Sequence, residues 1–160
     1  MGRIHIYSGD GHGKTPAALG RAVWMACRGK NVVIIQFLKG KGLEESEFIR
    51  RLEPEIKLFC FEKTDESFTE LSQEQRQEEI CNIKNGLNFA KKVLTTGECD
   101  LLILDEVLGL IDNHIMTVGE LKSLLEAGAD NETDIIMTGI TLNDEVCALA
   151  DEVTEMVTVQ

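Results

Sequence analysis

A segment near the amino end combines the residue types that bind phosphate groups. It reads Tyr7-Ser-Gly-Asp-Gly-His-Gly-Lys-Thr-Pro16 and approaches the pattern G-x-x-x-x-G-K-[ST]. In that pattern glycine N–H groups surround the phosphates, the Lys reaches the β- and γ-phosphates, and the hydroxyl binds Mg²⁺. The predicted nucleotide-binding residues are Ser8, Gly9, Asp10, Gly11, His12, Gly13, Lys14 and Thr15.

Two residues depart from the usual pattern. Ser8 stands where the first Gly is expected, and Pro16 follows the motif at once. Pro16 falls near the start of the predicted helix, where a missing N–H costs little, so it is compatible with the loop. The three glycines of the segment permit positive φ angles and a close approach of the backbone to an anion.

A second set of residues suits a metal ion. Leu101-Leu-Ile-Leu-Asp105 predicts a buried strand, and Glu106 follows it at the ligand-binding edge of such sheets. We predict a metal site formed by Thr15, Asp105 and Glu106, with Lys14 and Glu106 in catalytic roles. Glu106 is either a second metal contact or a base that orients water, and two solvated acids at a strand end are the plainer alternative.

A dinucleotide-binding fingerprint is the competing interpretation of the glycines. The pattern G-x-G-x-x-G needs a third Gly, but Pro16 stands there after Gly11 and Gly13. It also needs an acid at the end of the second strand, and that strand ends in Gln36-Phe-Leu-Lys39. Both failures favour the triphosphate loop.

Apolar runs alternate with helical patterns along the whole chain. This alternation predicts an α/β domain with a mostly parallel sheet of about six strands, and the motifs make it a three-layer P-loop NTPase fold of the RecA-like kind. The predicted strands are 3–7, 31–38, 56–61, 100–105, 133–138 and 152–159, and the predicted helices are 15–28, 43–53, 72–95, 117–127 and 142–150.

Composition limits the partners. The chain has 160 residues, which suits one domain spanning 1–160, and a net charge of -12, which disfavours nucleic acid. The sequence has no secretory signal and no apolar run that could cross a membrane, so we expect a cytoplasmic protein.

The cysteines and one acidic segment suggest no further site. The five cysteines lack the spacing of metal or redox motifs and are predicted to be reduced, mostly buried thiols. The seven acids in 62–79 are predicted to be solvated.

Several segments together resemble the ATP:corrinoid adenosyltransferases of cobalamin synthesis. They are 9–15, Arg28 to Gly40, Leu104-Asp-Glu106, Met137-Thr-Gly139 and Ala150 to Met156, and this similarity runs over nearly the whole chain in the right order. Two of these segments are more specific to the family than the phosphate loop is: Gln36-Phe-Leu-Lys-Gly40 and Val153-Thr-Glu-Met156. The family also carries Ser or Thr at the position of Ser8.

The resemblance implies a particular chemistry. Co(I) of a reduced corrinoid attacks the 5′-carbon of ATP, and triphosphate leaves, with Mg²⁺ or Mn²⁺ as the metal. ATP and the corrinoid are then the small-molecule substrates, an electron-donor protein can supply the reduced corrinoid, and the chain can form a homodimer.

Some residues differ from those expected in the family. Trp24 stands in place of a nucleotide-contacting Arg, and general burial tendencies place it in the core rather than on adenine. Leu108 and Ile140 replace a polar residue and an Arg, and His12 replaces a Lys. Phe68 is expected either to pack on the corrinoid or to close its loop.

Overall fold

A six-stranded parallel sheet organises the protein. The computed structural model describes residues 2–10, 12–38 and 46–160. The strands lie in the order β3-β2-β4-β5-β1-β6, and every neighbouring pair runs parallel. They are β1 (Ile4–Ser8), β2 (Val32–Gln36), β3 (Ile56–Cys60), β4 (Leu101–Asp105), β5 (Asp134–Gly139) and β6 (Glu152–Glu155).

Helices follow the strands in alternation, as predicted. They are α1 (Lys14–Cys27), α2 (Glu47–Arg50), α3 (Gln73–Thr96), α4 (Val107–Asp112), α5 (Val118–Glu126) and α6 (Asp144–Cys147). The predictions of 142–150 as helix and 152–159 as strand were too long. Of the helix predicted over 43–53, residues 43–45 lie outside the described residues, and only α2 forms in the remainder. The sequence interpretation also missed α4, because a helix of six residues is too short to show a clear helical period.

Burial explains the three layers. The residues of β2 and β4 are buried throughout, as expected for central parallel strands with helices on both faces. One face of the sheet packs on α3, α4 and α5 through apolar residues such as Ile83 and Leu121. The other face packs on α1 and α2 through Ala18, Ala22 and Ile49. The small residues of α1 let this helix lie close to the sheet.

Two helix starts agree with the sequence. Ser72 and Gln75 form a reciprocal capping box at the start of α3, and Thr117 with Glu120 forms another at the start of α5. Each box satisfies backbone N–H groups that the first helical turn leaves without partners. These boxes define where both helices begin.

Two burial predictions, for Trp24 and for the cysteines, were wrong. Trp24 is 62% exposed and Val23 is 47% exposed, so the outer face of α1 carries large apolar residues. Cys27 and Cys81 are exposed and only Cys99 is fully buried, so the thiols are not mostly buried. General tendencies failed here because burial depends on which helical face meets the sheet.

The contact between α4 and β5 allows no additional atom. A Cβ added to Gly139 would lie 2.3 Å from the Cβ of Leu108, which is itself 1% exposed. Such a distance is far inside van der Waals contact, so glycine is what lets α4 pack on the end of β5. This contact places the start of α4, and with it Glu106, beside β5.

We predict that Gly139→Ala destabilises the fold by about 1–3 kcal/mol, because the new methyl group must displace α4. The free energy of unfolding in urea measures this effect. Combining the change with Leu108→Gly should cost less than the sum of the two single changes, because Leu108→Gly removes the Cβ that the new methyl group would meet. Gly20→Ala is the control: a Cβ there meets nothing within 4 Å, so helix propensity should raise stability. Full additivity of the pair would contradict the steric explanation.

Candidate functional site

The carboxyl ends of four strands bring the predicted site residues to one edge of the sheet. Because the strands are parallel, the loop after β1 and the last residues of β2, β4 and β5 lie at the same edge. Gln36 and Asp105 are paired in register on neighbouring strands. Residues that are far apart in sequence therefore meet beside the start of α1.

Two glycines of the phosphate loop have the positive φ angles that the sequence permits. Gly9 and Gly13 have φ angles of 112° and 110°, and α1 begins immediately after Gly13. Lys14 is half-buried at the first position of the helix, and Asp10 and His12 are exposed. Pro16 lies in the first turn, where its missing N–H leaves no hydrogen bond unmade. Gly11 lies outside the described residues.

Asp105 is the centre of the site. Its carboxylate is 1% exposed and accepts hydrogen bonds from three side chains that belong to three different elements. Oδ1 lies 2.7 Å from Thr138 Oγ1 and 2.9 Å from Thr15 Oγ1, and Oδ2 lies 3.3 Å from Gln36 Nε2. A buried carboxylate needs such partners, so this geometry excludes a merely solvated pair of acids at the strand end.

Glu106 turns the chain from β4 into α4. It has a φ angle of 64°, which is uncommon for a non-glycine residue, and it precedes the first residue of α4. Its backbone N–H donates to Thr138 Oγ1 at 2.7 Å. The side chain is half-buried, next to the Asp105 carboxylate along the chain. Unusual backbone conformations of this kind often occur at functional sites.

Thr138 and Gln36 belong to this site, although the sequence interpretation assigned them no role. Both stood in segments that carried the family resemblance. Gln36 is the last residue of β2 and Thr138 is the last but one of β5, and these two strands flank β4. Polar residues at the ends of apolar strands were the signal that could have identified them. Without the strand order, nothing indicated that these two strands are the neighbours of β4.

The segment after β6 lies against the phosphate loop. Met156 N–H donates to Ser8 O at 2.8 Å, and His12 N–H donates to Thr158 Oγ1 at 3.2 Å. A Cβ on Gly9 would lie 2.4 Å from Met156 O, so only glycine fits at this position. The segment thus supports the loop from the side opposite to β5.

The residues that differ from the family pattern are distributed around the site. Leu108 is buried in the core, whereas Ile140 is 56% exposed beside the loop. Phe68 is half-buried, with the Arg76 guanidinium 5.7 Å from its ring centre, so it packs on α3 and closes its own loop.

Two buried acids lie next to the end of β2. Glu62 and Glu79 are 8% and 5% exposed, so two of the seven acids predicted to be solvated are instead buried. Glu62 accepts a hydrogen bond from the N–H of Leu38, which has a positive φ of 59°, and Glu79 accepts from Lys63 N–H. The pKa of Glu62 is raised to about 7, mainly because burial disfavours the charged carboxylate. The hydrogen bond from the Leu38 N–H lowers this pKa, and the nearby Glu79 carboxylate raises it. Glu62 therefore holds the exit of β2 in place.

No helix in the described ranges is both long and apolar enough to cross a membrane. The same part of the chain contains no cluster of three or more His, Cys, Asp or Glu residues suited to a metal ion.

The parallel sheet, the loop between β1 and α1 and the buried acid on β4 define the P-loop NTPase fold of the RecA-like kind. The KaiC-like protein PH0186 of Pyrococcus horikoshii has this fold, with a TM-score of 0.61 and 17% identity over 96% of this chain and 71% of that one. The flagellar accessory protein FlaH of Methanocaldococcus jannaschii is also similar, with a TM-score of 0.60 and 18% identity. That match covers 96% of this chain and 70% of the FlaH chain. The predicted fold class is confirmed.

The family model for the ATP:corrinoid adenosyltransferases BtuR/CobO/CobP matches residues 1–160. The corrinoid adenosyltransferase CobA of Salmonella typhimurium is 30% identical over 155 residues, which cover 97% of this chain and 76% of that protein. The chain therefore belongs to the ATP:corrinoid adenosyltransferase family. The resemblance recognised in its motifs, and the prediction of a transferase of this class, are confirmed.

We predict that Glu62→Gln removes a pH dependence of stability. The folded-state pKa is raised from 4.5 to about 7, so the native state keeps a proton that the unfolded chain loses. The contribution of Glu62 is fully present below pH 4.5 and is lost as the pH rises through 7. Wild-type stability should therefore fall, relative to Glu62→Gln, by on the order of 1–3 kcal/mol between pH 4 and 8.

Urea unfolding across that pH range measures this difference. The Gln side chain keeps an oxygen for the Leu38 N–H, so the loss of titration is separated from the loss of the hydrogen bond. Glu66→Gln changes an exposed acid and serves as the control. A constant offset between wild type and Glu62→Gln at every pH would contradict the explanation.

Proposed function

We propose that the protein transfers the 5′-deoxyadenosyl group of ATP to the Co(I) of a reduced corrinoid and releases triphosphate, in adenosylcobalamin synthesis or salvage. One observation carries this proposal: Thr15 Oγ1 contacts both oxygens of the buried Asp105 carboxylate, at 2.9 and 3.1 Å, in a chain of this family. The contact joins the end of the phosphate loop to β4. It forms a site for a metal-bound triphosphate.

The phosphate loop takes the leaving group in this proposal. The phosphate loop ends at the start of α1, where the helix dipole is positive and favours a bound anion. Lys14 adds a full positive charge in a chain whose net charge is -12. The negative charge that develops on the triphosphate is stabilised most at this position.

The side chains suit Mg²⁺ or Mn²⁺. Thr15 and Asp105 present a hydroxyl and a carboxylate, and hard cations prefer such oxygen ligands. Mg²⁺ is commonly bound by one or two carboxylates together with phosphate oxygens, so a larger acidic cluster is not required. Thr15 and Asp105 would hold the ion, with Glu106 as a further contact, and the ion would neutralise phosphate charge.

The reacting electron pair comes from the corrinoid. Co(I) forms a bond to the 5′-carbon, the bond from that carbon to the phosphate oxygen breaks, and triphosphate leaves with its electrons. The protein needs no nucleophilic side chain of its own, and it acts by holding the 5′-carbon in line with cobalt. An electron-donor protein, a homodimer and a cytoplasmic location remain predictions.

The phosphorus product tests the proposal. The protein with ATP, Mg²⁺ and chemically reduced corrinoid should yield adenosyl-cobalt, seen by its visible spectrum, together with triphosphate, seen by ³¹P NMR. ADP and phosphate formed without corrinoid would instead indicate an ATPase in which Glu106 orients water. ATP binding without either product would indicate a binding protein. Both of these results contradict adenosyl transfer.

We predict that Lys14→Gln lowers the rate of adenosyl transfer by about 10²–10³-fold, because it removes the charge beside the departing triphosphate. Lys84→Gln is the matched control, since Lys84 is exposed on α3 and far along the chain from the loop. The control should retain the wild-type rate. Equal rates in all three proteins would remove Lys14 from the proposed machinery.

A further inference from the structure

Gln36 ends β2 with a buried side chain whose two polar atoms have different environments. The residue is 2% exposed, and its Nε2 donates to Asp105 Oδ2 at 3.3 Å. No donor among the described residues reaches its Oε1, although that oxygen is buried. Buried polar atoms in native proteins nearly always have a partner, so an amide oxygen without one needs an explanation.

The orientation of the amide is determined by its neighbour. Reversing the group would place Oε1 against the Asp105 carboxylate, and two acceptors would then face each other. The observed orientation gives the carboxylate a donor, and this leaves Oε1 as the atom available to another group. Oε1 is therefore left as an acceptor because Nε2 is used to hold the Asp105 carboxylate.

The space behind these groups does not supply the missing partner. Thr15, Gln36 and Asp105 border a recess that is otherwise walled by apolar side chains and has no volume for a water molecule. A donor for Oε1 has to arrive from the carboxyl edge of the sheet. The phosphate loop and Asp105 lie at that same edge.

We propose that Gln36 is a positioning residue of the metal–nucleotide site, whose Oε1 accepts a hydrogen bond from a water molecule that arrives with the metal-bound triphosphate. This inference rests on the metal–nucleotide half of the proposed function and is independent of the corrinoid. A water polarised by a divalent cation is a strong donor, and an amide oxygen accepts from it without taking its proton. Gln36 thereby links the metal to Asp105 through a neutral group.

Two variants separate the two atoms of the amide. Gln36→Met and Gln36→Glu both remove the Nε2 donor to Asp105, but only Gln36→Glu keeps an oxygen at the position of Oε1. Calorimetric titration of each protein with ATP, in Mg²⁺ and in EDTA, gives the factor by which the metal tightens ATP binding. The titrations contain no corrinoid, so a failure of adenosyl transfer leaves their outcome intact.

Gln36→Met should reduce the metal factor by about ten-fold, which corresponds to the free energy of one hydrogen bond to a charged group. The same variant should leave ATP binding in EDTA unchanged. Gln36→Glu should keep the factor at or above the wild-type value. Urea unfolding should show a loss of stability in Gln36→Met without ligand, because the variant removes the Nε2 donor of the buried Asp105 carboxylate. A purely structural role of Gln36 would produce this loss but would leave the metal factor at the wild-type value.

Other results overturn the inference. Equal loss of the metal factor in both variants would mean that Gln36 acts only through Nε2 on Asp105. An unchanged factor in Gln36→Met, or a wild-type protein whose ATP binding ignores the metal, would remove the role altogether. If the Met variant does not fold, Gln36→Leu removes the same two atoms and is subject to the same outcomes.

Discussion

The buried carboxylate of Asp105 is the interaction on which the site depends. A charge that is 1% exposed is tolerated only if several donors surround it, and here they come from α1, β2 and β5. Each donor ties one more element to the end of β4. The position of the phosphate loop relative to the sheet thus follows from satisfying one acid.

The neighbouring elements respond to that constraint. Thr138 donates to Asp105 and accepts from the Glu106 N–H, so one hydroxyl connects the acid to the turn that begins α4. The turn needs a positive φ at Glu106, and α4 then packs so closely on β5 that Gly139 has no room for a side chain. The hydrogen bonds and the packing therefore support the same geometry.

Local chemistry overrides global charge in this protein. The net charge of -12 would repel a triphosphate at long range, yet the start of α1 concentrates N–H groups and Lys14 at one point. The two buried acids near the site are stabilised in different ways. Asp105 is surrounded by donors, whereas Glu62 is buried with its pKa raised to about 7. A net-charge argument excludes polyanions but says little about a small anionic ligand.

The sequence by itself determined the order of elements, the phosphate loop and the acid on β4, because each depends on local patterns: apolar runs, glycine spacing and a polar residue at a strand end. Its family motifs were also sufficient for recognition. Only the tertiary structure decided that Gln36 and Thr138 flank Asp105, that Trp24 is exposed and that Glu62 is buried. These facts depend on strand order and on which helical face meets the sheet, and both follow from contacts between residues that are distant along the chain.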